Sequence, residues 1–341
     1  MKTKRANGIT LVICTIVLLA GYIPTVAFGA SFYAGKTIRI VVGYSPGGSA
    51  DADARLIARY LGKHIPGNPR LIVQNVPGAG GLVAINLAYS RAKPDGLSIF
   101  QLGSGHFLLQ LTGSDVVKFD VTKMPVLGAW TRSTFALWIR SDTPYKSVEA
   151  IRDAKTPPVI ATHGTATGID LFNLAWQSGL GIKFKLVPGY ESAEQNAALE
   201  RGEVDGRTDI VGGVLRRSPH WITENFAPAV VQAGPDRDPR IPNVPTVYEL
   251  SPNPGALFET LNGGLSVSRP YVLPPGTPPD RVKILRQAWE SMLKDKEFIA
   301  GAEKLKWQVV PTPYDKVESF YKKVMAETPP EVVKILKEQM P

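Results

Sequence analysis

The sequence predicts two α/β domains that share a cleft, and three observations carry that expectation. A strand, a glycine turn and a helix follow one another at residues 38–61, and the same device returns at 71–89, 159–177 and 183–200. The chain turns aromatic and extended through residues 126–140, where it leaves the first pair of units for the second. A further apolar stretch at 228–233 reads as a strand leading back to the first domain. Turns that all follow parallel strands gather at one end of their sheet, the end where ligands collect.

The first unit is the clearest. Residues 38–42 are short, β-branched and nearly uncharged, as a central parallel strand requires. Pro46, Gly47 and Gly48 break it, Ser49 stands where an N-cap belongs, and Ala54, Ile57, Ala58 and Leu61 recur at helical spacing. Two glycines ahead of a helix leave bare backbone N–H groups at the positive end of its dipole, so the turn reads as a small anion site built mostly of backbone. Asp51, near the helix start, reads as a contact for free N–H groups.

The second unit runs from a strand at 71–75 through the turn Val76-Pro-Gly-Ala-Gly-Gly81 to a helix at 82–89. A strand at 97–102 ends in Gly103-Ser104-Gly105-His106. Beyond the crossing come a helix at 147–154, a strand at 159–162, the turn 163–168 and a helix at 170–177. A strand at 183–187, a turn at 188–192 and a helix at 193–200 follow. Asp205, in Gly202-Glu-Val-Asp-Gly206, reads as a loop carboxylate that holds hinge-side backbone. The last third offers a strand near 265–267 and a helix opened by Pro278, capped by Thr277, with Val282, Leu285, Trp289 and Met292 facing the core. Two shorter helices, at 315–327 and 330–338, close the chain as packing.

Residues 1–29 read as a secretory signal: Lys2, Lys4 and Arg5 precede an apolar run at 9–23 that is short for a membrane span. Cys14, the only cysteine, lies within it, so the roughly 310 remaining residues carry neither thiol nor disulfide and are enough for two cores. Without the three leader charges the formal charge falls from +9 to +6, which suits an anionic ligand. The basic residues are scattered and not interleaved with aromatics, so nucleic acid is not an expected partner.

Gly43-Tyr-Ser45-Pro-Gly47 fits the G-x-S-x-G elbow of serine hydrolases, which makes a secreted esterase the competing class. Such an enzyme draws an oxyanion donor from the residue after the serine, and Pro46 has no N–H. The four histidines are dispersed and form no H-x-x-x-H pair, and neither a Walker loop nor G-x-G-x-x-G is present. No metal and no cofactor is expected. His106 and His163 fall in turns facing the cleft, each either a surface residue or a hydrogen-bond donor to ligand.

Tyr44-Ser-Pro-Gly-Gly-Ser-Ala-Asp51 with Arg55 resembles the first signature of the Bug-type periplasmic solute receptors of tripartite tricarboxylate transporters. Gln74-Asn-Val-Pro-Gly-Ala-Gly-Gly81 with Lys93-Pro-Asp-Gly96 resembles the second. Val187-Pro-Gly-Tyr190, Gly202-Glu-Val-Asp205, Asn243-Val-Pro-Thr246 and Leu273-Pro-Pro-Gly-Thr-Pro278 match later landmarks in order.

The resemblance implies a two-domain periplasmic binding protein of the Venus-flytrap, type II-like kind. Its sheets are rich in parallel strands, and it captures a small carboxylate by closure and delivers it to membrane subunits. A periplasmic sensor would share that fold. Domain 1 is expected at residues 30–130 and 231–341, domain 2 at 131–230, and the receptor is expected to be a monomer. Loops carrying Tyr44, Ser45, Gly47, Gly48, Ser49, Ala50, Pro77, Ala79 and Gly80 are expected to hold one carboxylate through backbone N–H groups, with Ser104 and His106 beside them. The other ligand end falls to Thr165, Thr167, Asp170, Tyr190, Asp205 and Arg207. Here the chain departs from the family pattern: Asp170 stands where histidine is frequent, and Arg207 either makes a bidentate contact with a distal carboxylate or is a surface residue beside a solvated Asp170.

Overall fold

The structure is a computed structural model that describes residues 32–339 apart from 104, 164–167, 191 and 266. The expected leader and the site candidates Ser104, Thr165 and Thr167 lie outside the described residues.

The chain builds two sheets. β1 (Thr37–Val42), β2 (Arg70–Asn75), β3 (Ser98–Gln101) and β4 (Val126–Ala129) begin the first. β5 (Phe135–Ile139), β6 (Val159–Ala161), β7 (Lys185–Val187), β8 (Gly206–Ile210) and β9 (Ala229–Gln232) make the second. β10 (Tyr271–Val272) and β11 (Thr312–Pro313) return to the first, giving the orders β11-β4-β10-β3-β1-β2 and β7-β6-β8-β5-β9. β1 is parallel to β2 and β3, and β6 is parallel to β7 and β8. β10 is antiparallel to β3 and β4, and β5 to β8 and β9. The two-sheet α/β plan expected from the sequence is the observed one.

β1 shows why its residues make a central strand. Ile38, Ile40 and Val42 are buried with Ala54 and Ile57 of the helix Ser49–Tyr60 and with Leu285 and Trp289 of the helix Pro279–Leu293. Val41 points the other way, among Leu82, Ile85 and Ala88 of the helix Leu82–Ser90. An apolar run covered on both faces is what a parallel sheet between helices demands.

Several expectations change. No strand was expected at β8, which reads Gly-Arg-Thr-Asp-Ile, yet it is buried at every position between β6 and β5. β9 does not lead back to the first sheet: it pairs with β5 and ends the second. The helices Val247–Leu250 and Ala256–Leu265 follow it and pack on the second-sheet helix Gly168–Leu180, with Phe258 against Phe172 and Trp176. Leu265 ends a helix where a strand was expected, and the strand that does rejoin the first sheet is β10. Two proposed caps are absent. Gly48, not Ser49, occupies the N-cap of the helix Ser49–Tyr60, and the Thr277 hydroxyl donates to the Pro274 carbonyl. The helices His106–Thr112, Val211–Arg217 and Lys296–Lys304 were not anticipated.

The two connections between sheets run side by side, with the Ser133 and Ser268 hydroxyls 2.7 Å apart. Asp53, fully buried in the helix Ser49–Tyr60, ties both to that helix. One oxygen accepts from Trp130 Nε1 at 2.7 Å and the Tyr271 hydroxyl at 3.1 Å, the other from Gln101 Nε2 at 3.0 Å. No helix among the described residues is long and apolar enough to cross a membrane.

Candidate functional site

The parallel register sets Val42 opposite Asn75 and Val41 opposite Phe100, so the loops after β1, β2 and β3 leave from one end of the first sheet. They touch. A Cβ on Gly43 would lie 2.6 Å from Gly81 Cα and 3.0 Å from its carbonyl oxygen, both rigid backbone. Gly43→Ala must therefore push the first two loops apart. We expect a stability loss of about 1–3 kcal/mol, the usual cost of overpacking, readable in urea denaturation. An unchanged midpoint would mean that the two turns are free to separate.

Asp51 fastens the first turn as its position suggested. It accepts from Gly47 N–H at 2.9 Å, Arg55 Nε at 2.9 Å and Asn75 Nδ2 at 3.0 Å, while Asn75 also donates to the Tyr44 carbonyl. Burial alone would push this carboxyl up, but Arg55, the Gly47 N–H and Asn75 hold it below its ordinary range. Beyond Gly47 the helix opens. The N–H groups of its first turn have no intrahelical acceptor, and Ala52 is the first residue whose N–H reaches back, to the Gly48 carbonyl. Ser45, Pro77, Ala79 and Gly80 are exposed around this opening, Tyr44, Gly48 and Ser49 are half-buried, and Ala50 is buried. Ala79, Gly80 and Gly81 are all left-handed, at φ 46, 62 and 95°, which turns the second loop back on itself.

His106 is a correction. It is buried at the start of its helix, with Nδ1 accepting from Gly103 N–H at 3.0 Å and Nε2 donating to the Gly80 carbonyl at 3.2 Å. Both ring nitrogens thus rivet the second loop to the third, and neither is left for a ligand. Burial pulls its pKa down to about 4, the Gly80 contact opposing. Ser45 makes no hydrogen bond to a histidine and precedes a proline, so the elbow has neither base nor oxyanion donor among the described residues.

In the second lobe Ala161 pairs with Arg207, so the parallel strands bring His163 and Asp209 to one end of that sheet. Asp205 sits at the other end, where its carboxylate accepts from Val159 N–H at 2.7 Å. It holds backbone, as read, but its ligand role is corrected: it is at the wrong end of the strands. Asp170 is buried, not solvated, and accepts from His163 N–H at 3.2 Å. The Tyr190 N–H donates to the Thr162 carbonyl at 3.2 Å, which places the residue beside the end of β6, half-buried. Arg207 is neither loop nor surface. It is wholly buried in β8, donates to Asn196 Oδ1 and lies 3.1 Å from Asp209 Oδ2. Burial would push the Asp209 carboxyl up, but Arg207, Arg217 and the Ile210 N–H hold it below its ordinary range.

Two residues that the sequence reading passed over complete the arrangement. Arg216 Nη2 and Arg217 Nη1, from the end of the helix Val211–Arg217, each donate across the cleft to Ser49 Oγ at 2.9 Å. Arg217 Nη2 also meets Asp209 Oδ2 at 2.5 Å. Arg216 lies over the Trp307 ring, 5.5 Å from its centroid. Their signal was an adjacent basic pair after Gly212-Gly213, in a stretch with no clear apolar period. Two guanidinium groups therefore face the positive end of a helix whose first-turn N–H groups lack intrahelical acceptors, an arrangement suited to an anion.

Known proteins agree with this architecture. Residues 54–338 match the family described as tripartite tricarboxylate transporter family receptor. A UPF0065 protein from the gbd 5' region of Cupriavidus necator is 31% identical over 273 residues, 76% of this chain and 75% of that protein. The structure of the periplasmic binding protein BugD superposes with a TM-score of 0.71 at 20% identity, covering 90% of this chain and 98% of that one. MatC from Rhodopseudomonas palustris with bound malate gives 0.67 at 22% identity, covering 89% and 98%. At these identities the two structures establish the fold, and the family match spans most of the sequence. The chain belongs to the tripartite tricarboxylate transporter receptor family, whose members are solute-binding receptors rather than enzymes.

Proposed function

We propose that this receptor works in the periplasm, captures a small carboxylate between its lobes by closing on it, and delivers it to the membrane subunits of a tripartite transporter. One observation carries the reading: the opening turn of the helix Ser49–Tyr60 faces Arg216 and Arg217 across the cleft. Backbone N–H groups and the helix dipole favour a carboxylate at that end, while the arginines face the rest of the ligand from the second lobe. The malate in MatC is a ligand of the expected kind.

Calorimetry against a panel of succinate, malate, citrate, butyrate and lactate tests the proposal, with small-angle scattering to register closure. Failure of every acid to bind would end it. Gly48→Val is the matching variant. A Cβ there meets only the Ser45 carbonyl oxygen, at 3.7 Å, and φ is an ordinary −73°, so the fold tolerates it. Valine at an N-cap costs roughly 1 kcal/mol of stability. Its bulk at the N–H cluster should weaken carboxylate binding at least about tenfold, a loss of about one charge-assisted hydrogen bond. Full affinity in this variant would move the carboxylate elsewhere.

A further inference from the structure

Arg216 and Arg217 bring two cations to one neutral hydroxyl. Besides Ser49 Oγ, Arg217 has Asp209, while Arg216 has the face of Trp307. The Nε atoms of both are sealed from solvent with no hydrogen-bond acceptor among the described residues. A buried guanidinium N–H left without an acceptor is costly. Asp209 relieves only part of it. Arg207 and Arg217 press on His163, whose pKa burial already pulls down to about 4, and Arg269 adds to the positive field at Arg216.

We infer that Arg216 and Arg217 together hold a second anionic group of the ligand, and that Ser49 Oγ is their placeholder when no ligand is bound. This rests on the carboxylate reading above and makes the pair the specificity-determining residues of the second lobe. A carboxylate matches two planar guanidinium forks far better than one hydroxyl does. Asp209 is the positioning residue: fixed by Arg207 and the Ile210 N–H, it aims Arg217 at the first lobe. Arg207, enclosed in its strand, does not reach the ligand and supports the site from behind.

The test uses the full receptor, the same five acids, and the variants Arg216→Gln, Arg217→Gln and Ser49→Ala, with melting temperatures to confirm folding. Succinate, malate or citrate, whichever binds wild type, should bind each glutamine variant at least about 30-fold more weakly, as when one partner of a desolvated charge pair is removed. Butyrate and lactate should bind as before. Ser49→Ala should tighten the polycarboxylates, because it removes the group they displace; a merely structural serine would give the opposite sign. Equal losses for mono- and polycarboxylates, or a weaker Ser49→Ala complex, would overturn the inference and leave the carboxylate reading standing. No binding by any of the five acids would overturn both. Arg217→Lys guards against a folding artefact: it keeps the charge and loses the fork, and should bind polycarboxylates between wild type and Arg217→Gln.

Discussion

Arg207→Ala should lower the unfolding free energy by about 3–5 kcal/mol, the usual cost of removing one partner of a buried ion pair. It should weaken dicarboxylates more than monocarboxylates, because Asp209 then loses a group that fixes it while it aims Arg217. Arg207 is wholly buried in the strand between β6 and β5, where its neighbours in register are Ala161 and Trp138. Its guanidinium serves Asn196 on one side and Asp209, at 3.1 Å, on the other. Without it Asp209 keeps Arg217 and the Ile210 N–H but loses a wholly buried cation beside it, and the site of a large side chain is left to collapse or fill with water. Arg207→Met separates the two causes, since methionine restores most of the volume and none of the charge. Urea denaturation of both variants reads the result. A loss below about 1 kcal/mol in Arg207→Ala, the scale of an exposed ion pair, would show that Asp209 does not depend on Arg207.

The same residue shows where the sequence was legible and where it was not. β1 and the turn at Pro46-Gly47-Gly48 could be read because a β-branched run, a glycine pair and a helical period each say one thing. β8 could not. Its Arg207, Thr208 and Asp209 are polar residues buried against partners from distant elements, Thr208 with Asn173 and Trp176, so no hydrophobic alternation marks the strand. β9 was visible as a strand, but its partner was not: local pattern carries no information on strand order, which sheet hydrogen bonds with β5 decide. Ser49 has the chemistry of a cap, yet its hydroxyl serves the opposite lobe, a contact no local window contains. His106 in a glycine loop looks the same from sequence whether it faces ligand or lies beneath the turn. Only the packing of Gly80 and Gly103 around it distinguishes the two.

His106→Gln should make the receptor less sensitive to acid than wild type, by up to about 3 kcal/mol of unfolding free energy between pH 7 and pH 4, from a shift of some 2.5 pH units. In the folded protein His106 Nδ1 accepts an N–H, so protonation there would set two donors against each other. Burial accordingly takes its pKa from 6.5 to about 4. The unfolded chain takes up this proton near pH 6.5 and the folded protein only near 4. The unfolded state therefore binds more protons across that window, and the stability present above 6.5 is lost as pH falls towards 4. Asp53 acts in the opposite sense. Burial raises its pKa from 3.8 to about 6, against Arg269 and its three hydrogen bonds, so its contribution is complete below 3.8 and is lost as pH rises through 6. In wild type the two titrations largely offset each other, and His163, also pulled down to about 4 by burial, tips the sum towards acid lability. Glutamine at position 106 can accept from Gly103 with its oxygen and donate to Gly80 with its nitrogen, keeping the rivet while removing the titration. Asp53→Asn should do the reverse and steepen the loss on acidification. Urea midpoints at pH 7 and 4.5 for wild type and both variants measure these terms, because carboxylates elsewhere contribute equally to all three. If His106→Gln loses as much stability as wild type on acidification, His106 carries its proton in the folded state and the link between the second and third loops is not the one described.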